Sequence, residues 1–272
     1  MTDKKLSVLI VGATGSIGLL AVAEALRQGH AVRALVRNAE KARQLPAQAT
    51  AVIGDLTRPD TLSAAVEGVD AIVFTHGSDG GGKSGAEAVD YGGVRNVLAA
   101  LGSRLGSQLG SRTARIALMT AIGVTNRAAP YNRSTKSCDW KRRGERLVRL
   151  SGLPYTIVRP GWFDYNKPDE HHLVFLQGDT RRAGNSSDGV IARSQIAEVL
   201  IRSLTSDQAL RKTFELVATK GSAQKNMDAL FAALDPDPQN ALDGVRDEPN
   251  QPLEKEPQRV KDDLQALRAA YR

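Results

Sequence analysis

A doubly wound α/β fold, a mostly parallel sheet covered by helices on both faces, is predicted by three observations. Short runs rich in Val and Ile alternate with longer stretches of helical periodicity. The runs are apolar throughout, as strands buried on both faces must be. The first run also ends in a glycine-rich turn that leads directly into a helix. With 272 residues, 41% hydrophobic and 25% charged, the chain can bury a sizeable core, and disorder of the whole chain is excluded.

Leu6 to Val11 is the first strand, and Ile17 to Gln28 the helix after it, stopped at Gly29. Strands follow at 31–36, 50–53 and 70–75, with a short helix from Asp60 to Val66 closed by Gly68. Glu87 to Leu101 reads as a helix, 115–120 as a strand, Asp139 to Leu150 as a helix ended by Ser151-Gly152, and 155–159 as a strand. Right-handed crossovers assemble such a series into an open, doubly wound sheet. Leu101 to Arg112 repeats Leu-Gly-Ser. A glycine in every repeat costs a helix about 1 kcal/mol each, so this stretch reads as a frayed helix end or a surface insertion. Phe214 to Val217 is a late strand. Beyond it, Pro236, Pro238, Pro249, Pro252 and Pro257 among many charges read as linker-like, with a terminal helix over Val260 to Tyr271. The division expected is a domain at 1–221, a small substrate lobe embedded at about 160–192, and a Pro- and charge-rich tail at 222–272.

The net charge of +7 is uneven: residues 1–220 carry 30 basic against 20 acidic side chains, residues 221–272 carry 7 against 10. Much of the excess lies between Arg127 and Arg159, centred on Lys141-Arg142-Arg143-Gly144-Glu145-Arg146, which reads as a solvated helix face. No nucleic-acid recognition motif accompanies it, so nucleic acid is not the expected partner. No run approaches the roughly 18 to 20 apolar residues that a membrane span needs. A single cysteine, Cys138, permits no internal disulfide, which fits a reducing compartment and a cytoplasmic location. His30, His76, His171 and His172 lack metal-site spacing, so no metal is expected. Gly80-Gly81-Gly82-Lys83-Ser84 lacks the earlier glycine of an ATP-binding loop and reads as a lid.

The strongest signal is Val8-Leu9-Ile10-Val11-Gly12-Ala13-Thr14-Gly15-Ser16-Ile17-Gly18. A pyrophosphate must approach backbone N–H groups at a helix N-terminus, and a Cβ on the approach side would block it. Gly12, Thr14, Gly15, Ser16, Ile17 and Gly18 are therefore the expected cofactor cradle. About 20 residues on, an NAD site would place a carboxylate on the ribose. Here the second strand ends in Arg37-Asn38, and a guanidinium binds a 2′-phosphate that a carboxylate would repel. NADP(H) is thus preferred, with NAD(H) possible. Asp55 and Leu56 are placed at the adenine, and Thr75, His76 and Gly77 along the groove.

These residues, with Val89-Asp90-Tyr91 leading to Asn96, Met119-Thr120-Ala121-Ile122-Gly123-Val124 and Tyr155-Thr156-Ile157-Val158-Arg159-Pro160-Gly161, resemble an atypical short-chain dehydrogenase/reductase of the NmrA-like NAD(P)-binding group, from about Leu6 to about Gly221. The resemblance implies a Rossmann-like fold, a lysine at Lys141 that holds the nicotinamide ribose, and backbone contacts to the carboxamide after Pro160-Gly161, with Trp162 and Phe163 following. It also places the family's catalytic tyrosine at Ser137 and its serine at Thr120 or Ala121. The usual phenol is therefore replaced, and Thr120 or Tyr131 is the best available proton donor. A lost general acid forfeits a factor of about 10² to 10⁴, which quinone-like acceptors avoid because solvent supplies their proton. Trp162, Phe163 and Tyr165 suit a flat apolar substrate. The expected function is an NADP(H)-dependent reductase of a small aromatic or quinone-like molecule, as a monomer or small homo-oligomer. The alternative is a non-catalytic NADP(H) sensor of the NmrA type.

Overall fold

The computed structural model describes residues 5–78, 80–105 and 114–271. In chain order the first half comprises β1 (Ser7–Val11), α1 (Ser16–Arg27), β2 (Ala31–Val36), α2 (Ala39–Ala42), β3 (Thr50–Ile53), β4 (Ala71–Phe74), α3 (Gly82–Gly85), α4 (Gly92–Leu105) and β5 (Arg115–Met119). The second comprises α5 (Pro130–Thr135), α6 (Ser137–Leu150), β6 (Tyr155–Pro160), β7 (Trp162–Phe163), β8 (His172–Leu176), β9 (Val190–Ile191), α7 (Arg193–Ser203), β10 (Lys212–Thr219), α8 (Met227–Ala232) and α9 (Gln258–Ala270).

Among the described residues the strands form one sheet in the order β3-β2-β1-β4-β5-β6-β10-β9-β7, with β8 also paired to β10. Strands β1 to β6 and β10 run parallel, while β8 and β9 lie antiparallel to β10. Alternate side chains feed two cores, as the period of a strand requires. Val8, Ile10, Val73 and Phe214 meet α1 and α7 on one face. Leu9, Ile72, Ile116 and Ile157 meet α4, α6 and α9 on the other. Helix α1 buries Ile17, Ala21, Val22 and Ala25 along one stripe and gives way to Gly29 at φ 81°. The strand order changes direction between β1 and β4, and ligands of such sheets sit in the crevice opened there at the carboxyl ends.

Three expectations change. The helix expected over Asp60 to Val66 is only a 3₁₀ turn at Pro59–Thr61. The Thr61 hydroxyl donates to Arg58 O at 2.7 Å and accepts Asp55 N–H at 2.9 Å, and Arg33 takes Ala64 O at 2.6 Å, which diverts the polar groups a helix would pair. The glycine loop expected to be a lid supplies α3 and runs through a wide helical turn at Ala86–Tyr91 into α4; Asp79 and residues 106–113, which include most of the Leu-Gly-Ser repeat, lie outside the described residues.

The largest change concerns charge. The α6 arginines expected at a solvated face are buried: Arg142 and Arg146 have no exposed surface. Their partners come from the stretch expected to be linker-like. Asp243 accepts from Arg142 (2.9 Å) and Arg146 (2.9 Å), Glu256 from Arg143 (2.5 Å) and Arg146 (3.2 Å), and Asp237 from Arg149 (3.1 Å). Behind them Arg159 of β6 meets Glu145 (2.7 Å), Asp247 (2.7 Å) and Glu215 (3.2 Å). A buried charge persists only when paired, so these contacts hold the tail on the domain. Phe231, Leu234, Val260 and Leu264 bury apolar surface alongside. Composition alone reads such a segment as solvated because its partners lie about a hundred residues away in the chain.

Candidate active site

Gly12, Arg37, Asp55, Thr75, Thr120 and Pro160 end or follow successive parallel strands, so the sheet itself brings them to one edge. At its centre the glycines of the turn have different tasks. Gly12 has φ 85°, and a Cβ there would lie 2.7 Å from His76 N. A Cβ on Gly18 would stand 2.0 Å from Gly12 O, so this glycine lets α1 pack on the turn. Gly15 meets only Gly12 O at 3.2 Å and opens outward as the N-cap of α1, which has neither a capping side chain nor an acidic residue in its first turn. That open, electropositive helix end fits a pyrophosphate. Ser16 is exposed there beside the partly buried Thr14, whereas the Ile17 side chain belongs to the core.

His76 strengthens the fit. Its backbone packs on Gly12 and its ring on Gly93, where a Cβ would approach Nε2 to 2.8 Å, and Nε2 lies 3.1 Å from Val89 O. A carbonyl only accepts, so Nε2 carries the proton and Nδ1 presents a lone pair. Burial, with Lys141 adding to it and Asp90 opposing, lowers the imidazole pKa to about 4 and keeps the ring neutral. Among the described residues Nδ1 is buried without a hydrogen-bond partner, an acceptor suited to a ribose hydroxyl. Neighbouring Thr75 turns inward and donates to Val11 O at 3.0 Å, which makes its hydroxyl a tie between β4 and β1 rather than a groove contact.

At the end of β3, Asp55 Oδ1 accepts the Thr57 N–H (2.8 Å) and hydroxyl (2.7 Å), and these bonds, aided by the nearby Arg37 charge, lower its pKa. Leu56 O is held by Asn96 Nδ2 at 2.6 Å. Arg37 is exposed at the end of β2.

Lys141 reaches from α6 to the turn after β4: Nζ donates to Asp90 Oδ1 at 2.7 Å and would lie 3.9 Å from a Cβ on Gly77. Asp90 also accepts from Ser78 Oγ at 2.7 Å and Ser78 N at 3.2 Å. The sequence contains Asp90 and Asn96 in a family motif, but their roles as anchors of Lys141 and of the Asp55-Leu56 loop emerge only here. The expected proton donors fare differently. Thr120 is buried and donates to Glu145 Oε1 at 2.7 Å. Burial raises the Glu145 pKa, but Arg159, Arg149 and this hydroxyl outweigh it and hold the carboxylate ionised, so Thr120 is committed to an acceptor. Tyr131 is 61% exposed on α5, and no contact among the described residues joins its phenol to Lys141. Burial pushes the Cys138 thiol up to about 11, which leaves it inert at neutral pH.

Beyond Pro160, Gly161 is required by its own backbone surroundings: a Cβ would meet Gly189 O at 2.5 Å. The Trp162 and Asp164 N–H groups are used by Gly189 O and Ile191 O, both at 2.9 Å. Because β7 ends the sheet, the alternate backbone groups of Phe163 face its open edge. Trp162 (38% exposed) and Tyr165 (66% exposed) meet edge to face at 6.4 Å. A cavity of about 460 Å³ touches Ile122, Thr180, Arg181 and Glu215. Arg181 lies 3.2 Å from the place of a Cβ on Gly189, so the cavity borders the Gly161–Gly189 contact. Arg193, absent from the sequence reading, enters this edge from α7 and donates to Ser16 Oγ at 3.1 Å. Its one sequence signal is its position directly after the β9 residues Val190-Ile191 and Ala192.

No helix among the described residues is long and apolar enough to cross a membrane, and no cluster of three or more His, Cys, Asp or Glu is grouped to hold a metal. The family described as NAD(P)H-binding matches residues 12–207. A sanguinarine reductase from Eschscholzia californica is 27% identical over 86% of this chain and 97% of its own length. The oxidoreductase YlbE from Lactococcus lactis superposes with a TM-score of 0.64 at 18% identity, over 84% of this chain and 96% of that one. An anaerobillin reductase from Escherichia coli O157:H7 gives a TM-score of 0.59 at 20% identity, over 78% and 96%. At these identities the two structures establish the shared Rossmann-like fold.

Proposed function

This chain belongs to the NAD(P)H-binding family, in the atypical short-chain dehydrogenase/reductase group, and on that premise we propose that it is an NADP(H)-dependent reductase of a small aromatic or quinone-like molecule. The observation that carries the reading is the crevice at the β1–β4 crossover. An open glycine turn, the orphaned Nδ1 of His76 and the Lys141–Asp90 pair line one edge of the sheet there. When bound, the nicotinamide supplies hydride. Gly12, Thr14, Gly15, Ser16 and the first amides of α1 take the pyrophosphate, and Asp55 and Leu56 take the adenine. Lys141, fixed by Asp90, grips the nicotinamide ribose. Arg37 takes the 2′-phosphate, because a guanidinium at the end of β2 attracts the group that a carboxylate would reject.

A flat substrate is supported by the Trp162–Tyr165 pair beside Phe163, with the cavity bordered by Arg181 as room for its remainder. The committed Thr120 and the exposed Tyr131 favour acceptors that draw their proton from solvent. The reductase named among the relatives supports the direction of reaction. One observation favours the second reading, a non-catalytic NADP(H)-binding regulator: no phenol stands beside Lys141 among the described residues.

A paired titration with NADPH and NADH, followed by nicotinamide fluorescence, tests the cofactor assignment. Tighter binding of NADPH that Arg37→Ala abolishes is expected. Equal affinities unaffected by that change would refute the role of Arg37. Turnover of a quinone panel would exclude the regulatory reading.

A further inference from the structure

We propose that Arg193 is a ligand for the pyrophosphate of the bound dinucleotide and that Asp164 is its built-in competitor. Arg193 is the first residue of α7, yet its side chain crosses to the first residue of α1, where Nε donates to Ser16 Oγ at 3.1 Å. In doubly wound sheets the pyrophosphate settles at that end of that helix. The guanidinium therefore stands beside the place where two negative charges arrive.

Its present anchorage is of a kind that an incoming anion can replace. Asp164 accepts from Nη1 and, at 3.0 Å, from the Arg193 backbone N–H. Asp164 has φ 57°, a conformation that Asp tolerates, and its own N–H is tied to Ile191 O at 2.9 Å. The guanidinium lies 5.3 Å from the centre of the Phe163 ring, which keeps it over the sheet edge whichever anion it faces. Both side chains are partly exposed, so the ion pair contributes little in water. Exchange of one carboxylate for a diphosphate adds charge-assisted hydrogen bonds with little to undo. Ser16 Oγ accepts from Arg193, and its O–H can donate to the same anion, which makes the pair a composite site.

The assignment rests on the dinucleotide occupying the glycine turn, and it is tested on the full chain by fluorescence titration with NADPH and with NADH. Arg193→Ala should weaken both by about tenfold and by the same factor, since both carry the pyrophosphate. Arg193→Lys should restore part of the loss. Asp164→Asn should tighten both a few-fold, and the salt dependence of binding should be shallower for Arg193→Ala than for the wild type. Wild-type binding with Arg193→Ala within twofold of it would overturn the proposal. So would a loss confined to NADPH, which would move Arg193 to the 2′-phosphate. Should Arg193→Ala fail to fold, Asp164→Asn decides: unchanged or weaker binding overturns the competitor role and the proposal with it. Absence of binding by the wild type would instead refute occupancy of the glycine turn itself.

Discussion

Glu215→Gln should flatten the fall in stability that accompanies the rise from about pH 4.5 to about pH 7. Glu215 is buried on β10, accepts from Arg159 at 3.2 Å and from the Asp179 N–H at 3.1 Å, and sits near Asp179 and Asp247. Burial raises its pKa to about 7; Arg159 opposes, while Asp179 and Asp247 add to it. The unfolded chain, with an ordinary carboxyl near 4.5, releases its proton first. Between those values the native state holds more protons than the unfolded state, so stability falls as pH rises from about 4.5 to about 7 and then levels off. At about 1.4 kcal/mol per unit, the loss between pH 5 and pH 8 is about 2.5 kcal/mol. Glutamine mimics the protonated side chain and removes this component without touching Glu145 or Asp243, whose pKa values shift the other way. Urea unfolding of both proteins at pH 5, 6, 7 and 8 measures it. The difference between mutant and wild type should grow in favour of the mutant by about 2.5 kcal/mol across the range. Parallel profiles would show that Glu215 is ionised throughout and would refute the reasoning.

Gly18→Ala should cost both stability and NADPH affinity, since its Cβ would be forced to within 2.0 Å of Gly12 O, whereas Gly15→Ala should melt near the wild-type temperature yet bind NADPH at least tenfold more weakly; thermal melts beside titrations separate the two. Arg146→Met takes away one of the two cations held by each of the carboxylates Asp243 and Glu256 and should cost about 3 kcal/mol in denaturant unfolding, with a loss below 1 kcal/mol showing that the cluster is not tightly packed. Thr120→Val deprives Glu145 of one donor and should cost about 1 kcal/mol while leaving kcat with a quinone within a few-fold; loss of kcat by a hundredfold or more would make Thr120 the proton donor after all.

The parts of this molecule that read directly from the chain are those whose cause is local. Val8 to Gly18 announces strand, turn and helix because each step depends on neighbours within a few residues. Lys141 could be placed by counting back from Tyr155, but its anchor Asp90 lies 51 residues away. Thr120 presents a hydroxyl in the sequence, and only the structure reveals that Glu145 has taken it. Arg142 and Arg146 look solvated because nothing near them in the chain tells that Asp243 and Glu256 will cover them. The one visible hint was the opposite sign of charge in body and tail. Arg193 carries no local signal of its contact for the same reason: its partner Ser16 lies 177 residues earlier.

The ionic clasp between α6 and the tail also sets an order of events on the ribosome. Arg142 precedes Asp243 by 101 residues and Arg143 precedes Glu256 by 113. At roughly 5 to 20 residues per second, the arginine-rich helix waits roughly 5 to 20 s for its counter-charges. The strands around the glycine turn are complete long before then, while the helix that carries Lys141 has yet to find its seat. Nascent chains therefore pass through an interval in which the crevice at the β1–β4 crossover is half built and the cationic segment lacks its counter-charges. The acidic tail closes that interval, and the helix that carries Lys141 takes its final seat only once Asp243 and Glu256 have been made.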